Sequence, residues 1–115
     1  MSELENINRD NWREFVGSPL AVLMLGKTDC PACNAWSDEL TGLLAGEHAW
    51  DRVRFGKLLL DQGGMAEFKK ENGDWLKEID DLPYNVIYFD GEKTKSWIGG
   101  GAERLTNRLK RFLES

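Results

Sequence analysis

The sequence predicts an α/β fold, a central mixed sheet of four to five strands flanked by helices on both faces. Three stretches carry that expectation. Leu20-Ala21-Val22-Leu23-Met24-Leu25 is an unbroken apolar run bounded by Pro19 and Gly26, as expected of a strand covered on both faces. A helix-like segment and a second apolar run follow it, which makes a strand–helix–strand unit with parallel strands and a right-handed crossover. Near the end, two strand-like runs joined by Asp90-Gly91-Glu92 read as a hairpin before a closing helix.

In order along the chain, Asn8 to Val16 carries Trp12, Phe15 and Val16 at helical spacing, and Gly17-Ser18-Pro19 stops it. The Leu20–Leu25 strand comes next. From about Cys30 to Ala45 an amphipathic helix shows Cys33, Trp36, Leu40 and Leu43/Leu44 on one face. Val53 to Asp61, with Phe55 and Leu58 to Leu60, reads as the second central strand. Met65 to Glu71 is a short helix broken at Asn72-Gly73, and Asp74 to Ile79 resumes an apolar face through Trp75, Leu76 and Ile79. Val86–Phe89 and Thr94–Ile98 form the expected hairpin. After Gly99-Gly100-Gly101, the residues Leu105, Leu109, Phe112 and Leu113 give the last helix.

A chain of 115 residues is one domain, residues 1–115, large enough to bury a core without disulfide staples. A net charge of −5 with dispersed acidic residues argues against nucleic acid as a partner, which would select a basic face. Arg104, Arg108, Lys110 and Arg111 fall at helical spacing and read as a solvated helix face. The polar, acidic N-terminus and the lack of any run as long as a membrane span lead us to expect a soluble, cytoplasmic protein.

The only two cysteines stand in Cys30-Pro31-Ala32-Cys33, at the beginning of the expected helix. Unpaired backbone N–H groups and the positive end of the helix dipole favour a thiolate there. Such a position typically lowers a cysteine pKa from about 8.5 into the range of roughly 3.5–7.5. Cys33, one turn further in, is the natural resolving partner. A zinc site would need about four nitrogen or sulfur ligands, and beyond the cysteines the chain offers only His48 and carboxylates. Inert packing of both thiols is the other alternative to a redox dithiol. In an open sheet of this kind the site lies beyond the carboxyl ends of the parallel strands, where Cys30 falls.

Taken together, these residues resemble the thioredoxin family over nearly the whole chain. Four features follow the family's order: the apolar strand leading into Cys30 and Cys33, a strand ending Leu60-Asp61-Gln62, Pro83 opening Asn85–Phe89 and Asp90-Gly91-Glu92, and Gly99 before the last helix. The resemblance implies the thioredoxin fold and a thiol:disulfide exchange without metal or bound cofactor. Cys30 would be the exposed nucleophile and Cys33 the buried thiol that resolves the mixed disulfide. Pro83 would be the family's cis-proline, turning the chain so that Leu82 presents its backbone to an extended substrate. Pro31, Ala32, Gly99 and Gly100 would border the substrate groove, and Lys57 would lie beneath the dithiol.

The sequence also departs from the family. Met24 stands where a buried acidic residue is usual, which leaves Lys57 without its customary partner and puts the usual proton relay in doubt. Asp29 replaces the common tryptophan before the first cysteine, and its charge opposes a thiolate at Cys30. Pro31-Ala32 replaces Gly-Pro. The stretch from Asp61 to Pro83 is a turn or two of helix longer, and Trp75 and Tyr84 in or beside it are expected to reshape the groove.

The resulting expectation is a thioredoxin-like reductase of protein disulfides, supplied with electrons by an unidentified reductase, with no nucleic-acid or membrane partner. Two alternatives stay open. One is a glutaredoxin-like enzyme using glutathione, suggested by Pro31 after Cys30 and by Gly99-Gly100 before Glu103. The other is a non-catalytic adaptor or redox sensor of the same fold, kept open by Met24.

Overall fold

A computed structural model describes residues 3–114. In chain order its elements are β1 (Leu4–Ile7), α1 (Trp12–Val16), β2 (Leu20–Gly26), α2 (Pro31–Ala45), β3 (Arg54–Leu59), α3 (Ala66–Glu71), α4 (Gly73–Leu76), β4 (Tyr84–Phe89), β5 (Glu92–Ile98) and α5 (Ala102–Leu113). The five strands form one mixed sheet in the order β1-β3-β2-β4-β5. β1, β3 and β2 run parallel, while β4 is antiparallel to β2 and β5 to β4.

The central strand explains the two-sided architecture. Every residue of β2 is buried, and successive side chains point to opposite faces. Leu20, Val22 and Met24 pack with Trp36, Leu40, Leu105 and Leu109 of α2 and α5. Ala21, Leu23 and Leu25 pack with Phe15 of α1 and Phe68 of α3 on the other face. The dithiol belongs to the α2 side.

One strand and several element boundaries differ from the sequence expectation. β1 was not expected: Leu4 and Ile7 are its only apolar residues, and they face opposite sides. Its strand conformation comes from pairing with β3, Leu4 opposite Phe55 through to Ile7 opposite Leu58. The first helix begins at Trp12, four residues later than the periodicity suggests. Asn8 and Asn11 hold a side-chain turn instead, the Asn8 N–H donating to Asn11 Oδ1 at 2.7 Å and the Asp10 N–H to Asn8 Oδ1 at 2.9 Å. Such local bonds compete with the helix. β3 stops at Leu59, and the Leu60 N–H turns to the Gly26 carbonyl at 2.8 Å. Each hairpin strand begins two residues earlier than expected and ends where expected: Tyr84 and Asn85 pair with Leu25 and Met24, and the charged Glu92 and Lys93 suit the solvated edge strand.

The long connection between β3 and β4 folds as two short helices meeting at Asn72. The Asn72 side chain donates to the Phe68 carbonyl at 2.8 Å and accepts from Trp75 Nε1 at 3.2 Å. Trp75 stacks on Tyr84 with ring centroids 5.9 Å apart. Among the described residues, no helix is long and apolar enough to cross a membrane.

Candidate functional site

β2 delivers the chain to the site through a three-residue loop, Lys27-Thr28-Asp29, ahead of Cys30. Asp61, just past β3, clamps this loop: both carboxylate oxygens accept from the Thr28 N–H at 3.1 Å. That backbone hydrogen bond holds the Asp61 carboxyl below its ordinary range, and partial desolvation opposes it. Asp29 takes φ 61°, a left-handed conformation that aspartate tolerates better than most residues.

Cys30 is the N-cap of α2 and Pro31 its first residue, where the missing N–H costs nothing. The Cys33 N–H donates to Cys30 Sγ at 3.2 Å. The first turn carries no acidic side chain, so Cys30 is the group placed to receive the helix's unpaired N–H groups and dipole. Cys30 and Cys33 are joined in a disulfide with Cα atoms 5.2 Å apart. Cys33 is fully buried, and Cys30, expected to be exposed, is also largely buried in the disulfide form, at 8%. Gly26 makes room for the pair: a Cβ there would stand 3.2 Å from Cys33 Cβ and 3.3 Å from its Sγ. In the sequence Gly26 shows only as the end of the apolar run, although a glycine closing a strand is a sign of close approach.

Beneath α2 one sheet row runs Lys57, Met24, Asn85, Trp97 across β3, β2, β4 and β5. α2 answers its polar members. Lys57 Nζ donates to Ser37 Oγ at 3.2 Å, so a serine one turn beyond Cys33 supplies the partner that Met24 does not. Trp36 Nε1 donates to Asn85 Oδ1 at 2.8 Å, and Asn85 Nδ2 donates to the Gly99 carbonyl at 2.8 Å. Met24 itself is completely buried. Ser37 and Asn85 were not singled out from the sequence, since a polar residue on the inner face of a helix or strand gives no hint of its partner.

The bond between Leu82 and Pro83 is cis. Pro83 is buried, and its carbonyl accepts from the Gly99 N–H at 2.8 Å, which ties the two loops together. Gly99 has φ +94°, where a side chain would be strained. At Gly100 the close neighbour is the ring of Trp36: a Cβ would lie 2.9 Å from Cδ2 and 3.0 Å from Cε3 and Cγ. The side chain packed against this loop is therefore Trp36 of α2.

Beside Cys30 opens a cleft of about 530 Å³. Cys30, Leu60, Leu76, Ile79 and Leu82 line it, so Leu82 and the nucleophile candidate share one wall system. Pro31, Ala32 and Asp29 are exposed around the start of α2. Gly99 and Gly100 are not among the cleft's lining residues, and neither is Trp75. His48 is engaged in a turn, Nδ1 accepting from the Trp50 N–H at 3.0 Å. Among the described residues no three of His, Cys, Asp and Glu converge as a metal site would need.

No protein-family model matches the chain, and no curated protein matches its sequence. Solved structures do. A thioredoxin of Malassezia sympodialis superposes with a TM-score of 0.76 at 19% identity, covering 98% of this chain and 93% of that one. The chain has the thioredoxin fold. Mitochondrial thioredoxin 3 of Saccharomyces cerevisiae, in its oxidised form, gives 0.70 at 24% identity over 94% of both chains. A thioredoxin f2 seen in complex with ferredoxin:thioredoxin reductase gives 0.73 at 18% identity, covering 96% of this chain and 94% of that one. Within this thioredoxin fold, the Cys30–Cys33 disulfide sits where α2 begins, beyond the carboxyl end of β2.

Proposed function

We propose that the protein is a thiol:disulfide oxidoreductase that reduces disulfides in other proteins. The observation that carries the proposal is the Cys30–Cys33 disulfide at the start of α2, one sulfur lining an open cleft and the other fully buried behind it. In the reduced protein the Cys30 thiolate attacks one sulfur of a substrate disulfide. A bond forms between Cys30 Sγ and that sulfur, and the other substrate sulfur leaves as a thiolate. The Cys33 thiolate then attacks Cys30 Sγ, closing the internal disulfide and releasing the second substrate thiolate. Water protonates the products. Two electrons have passed to the substrate, and a dithiol reductant must return them.

The helix end serves the first step by favouring negative charge on Cys30, an effect worth about 0.3–2 kcal/mol for a group at this position. Asp29 works against it. For the second step Cys33 must lose a proton, and no carboxylate is buried beneath α2 among the described residues. In our proposal the Lys57–Ser37 pair orders the polar side of the row under α2 and takes the place of a buried acid in positioning that transfer. Pro83 and Leu82 would hold a substrate strand against the dithiol, with Pro31 and Ala32 at its edge.

The reductase complex of a protein with this fold supports a protein electron donor here too. As a reductant the protein would act where thiols are kept reduced, in this proposal the cytoplasm. The test is reduction of insulin with dithiothreitol as donor, comparing the wild type with Cys30→Ser and Cys33→Ser. We expect catalysis by the wild type and none by Cys30→Ser, with Cys33→Ser accumulating a mixed disulfide. Equal rates for the wild type and Cys30→Ser would end the proposal.

A further inference from the structure

The cleft beside Cys30 is built largely by the long connection between β3 and β4. Leu60, Leu76, Ile79 and Leu82 give it an apolar floor, and all four remain partly exposed. Its rim carries the amines of Lys27, Lys69 and Lys77 and the carboxylates of Asp80 and Asp81. Among the described residues none of these five is in an ion pair. Three positive groups against two negative ones leave little net field, so the apolar floor rather than the charge has to do the selecting.

Gly73 contributes no side chain to the cleft wall. It is the first residue of α4 and lines the cleft, and a Cβ added there would meet nothing within 4 Å. Its backbone is not in the left-handed region, so neither packing nor conformation requires a glycine there. A helical residue would ordinarily favour a side chain.

We propose that this cleft is a specificity pocket for a protein substrate carrying a large apolar side chain next to the cysteine that Cys30 attacks. The inference rests on the oxidoreductase reading above. Cys30 is part of the cleft wall, so a partner held in the mixed disulfide is tethered at its mouth. The residues flanking the partner's cysteine then lie within one or two residues' reach of the floor. A volume of about 530 Å³ exceeds a single side chain and accommodates a short extended segment with its anchor inside. An apolar floor with a polar rim is the ordinary anatomy of such contacts.

The experiment compares two disulfide-linked peptides that differ only in a Leu or a Ser beside the cysteine, with dithiothreitol as electron donor and kcat/KM as the readout. The wild type should prefer the Leu peptide by about tenfold, the lower end for an apolar contact in a pocket of this kind. Gly73→Leu, which fills the cleft, should bring the rate of the Leu peptide down to that of the Ser peptide. Ile79→Ala, which removes part of the floor, should reduce the preference at least threefold and serves if Gly73→Leu does not fold. Equal wild-type rates for the two peptides, or a preference untouched by both variants, would overturn the pocket while leaving the oxidoreductase reading intact. Faster turnover of glutathione disulfide than of either peptide would overturn it in favour of a small-molecule substrate. Failure of the wild type to reduce either peptide or insulin would overturn both.

Discussion

Gly100→Ala separates two accounts of the glycine loop before α5. The added Cβ would lie 2.9–3.0 Å from three atoms of the Trp36 ring, against the 3.5–4.0 Å of a comfortable carbon contact. About 0.5–1 Å must be gained. Trp36 is 2% exposed and is tied through Nε1 to the fully buried Asn85 at 2.8 Å. If the ring yields, that hydrogen bond is strained or lost, at a cost of about 1–3 kcal/mol for the unpaired buried group. If the loop yields, overpacking costs a similar 1–3 kcal/mol. We therefore expect a loss of about 1–3 kcal/mol, measured by urea unfolding of the oxidised protein with an unchanged m-value. For a domain of this size that is a fall in Tm of roughly 10 °C. In a Trp36→Ala background the same substitution should cost less than about 1 kcal/mol, because Ala removes every ring atom that the new Cβ would crowd. Insulin reduction by the folded variant should stay within about twofold of wild type, as Gly100 does not line the cleft. The reasoning is refuted if stability is unchanged and kcat/KM collapses, since Gly100 would then serve the substrate path and not Trp36.

Other perturbations address the remaining contacts. Ser37→Ala and Lys57→Met should each slow resolution of the mixed disulfide by several-fold while leaving alkylation of Cys30 unchanged, read by stopped-flow with a quenched substrate; equal effects on both steps would contradict the role given to the pair. The carboxyl of Asp61 is held below its ordinary value, so its hold on Thr28 is complete above the usual aspartate range and is lost as pH falls through the lowered value. Exchange of the Thr28 amide, followed by hydrogen exchange near neutral pH, should accelerate in Asp61→Asn, whose amide accepts less strongly; no change would show that the loop is held by other means. Arg54 reaches Glu5 of β1, Glu14 of α1 and Ser18, and its side chain is 34% exposed. Arg54→Met should destabilise the protein by about 1–2 kcal/mol, the scale of charge-assisted hydrogen bonds that are only partly screened, and thermal unfolding gives the value.

The parts of this structure that the sequence makes legible are those governed by local pattern. The Leu20–Leu25 run is apolar throughout because both faces of β2 are covered, and the helical spacing of Trp36, Leu40 and Leu44 follows from a helix packed on one side. β1 is not legible, since Leu4-Glu5-Asn6-Ile7 owes its conformation to a partner some fifty residues away. At the site, Cys30 and Cys33 stand out by spacing, and the structure joins them in a disulfide. Their supports do not stand out. Asp61 on Thr28, Ser37 on Lys57 and Asn85 on Trp36 are pairings between elements, and a sequence gives each partner separately without the distance between them. Gly26 and Gly100 differ in the same way: the residue is visible, but the cysteine or the indole that fills the space beside it is not.

The most direct test of the account is the alkylation of the reduced protein by iodoacetamide near neutral pH, with each cysteine followed separately by mass spectrometry. Placement at the N-cap of α2 predicts that Cys30 reacts at least tenfold faster than a model thiol such as a free cysteine peptide, on the order of the thiolate gain expected at a helix start, while Cys33 stays unmodified until the protein unfolds. If Cys30 reacts no faster than the model thiol, or if Cys33 is modified first, the exchange mechanism built on these two residues is wrong.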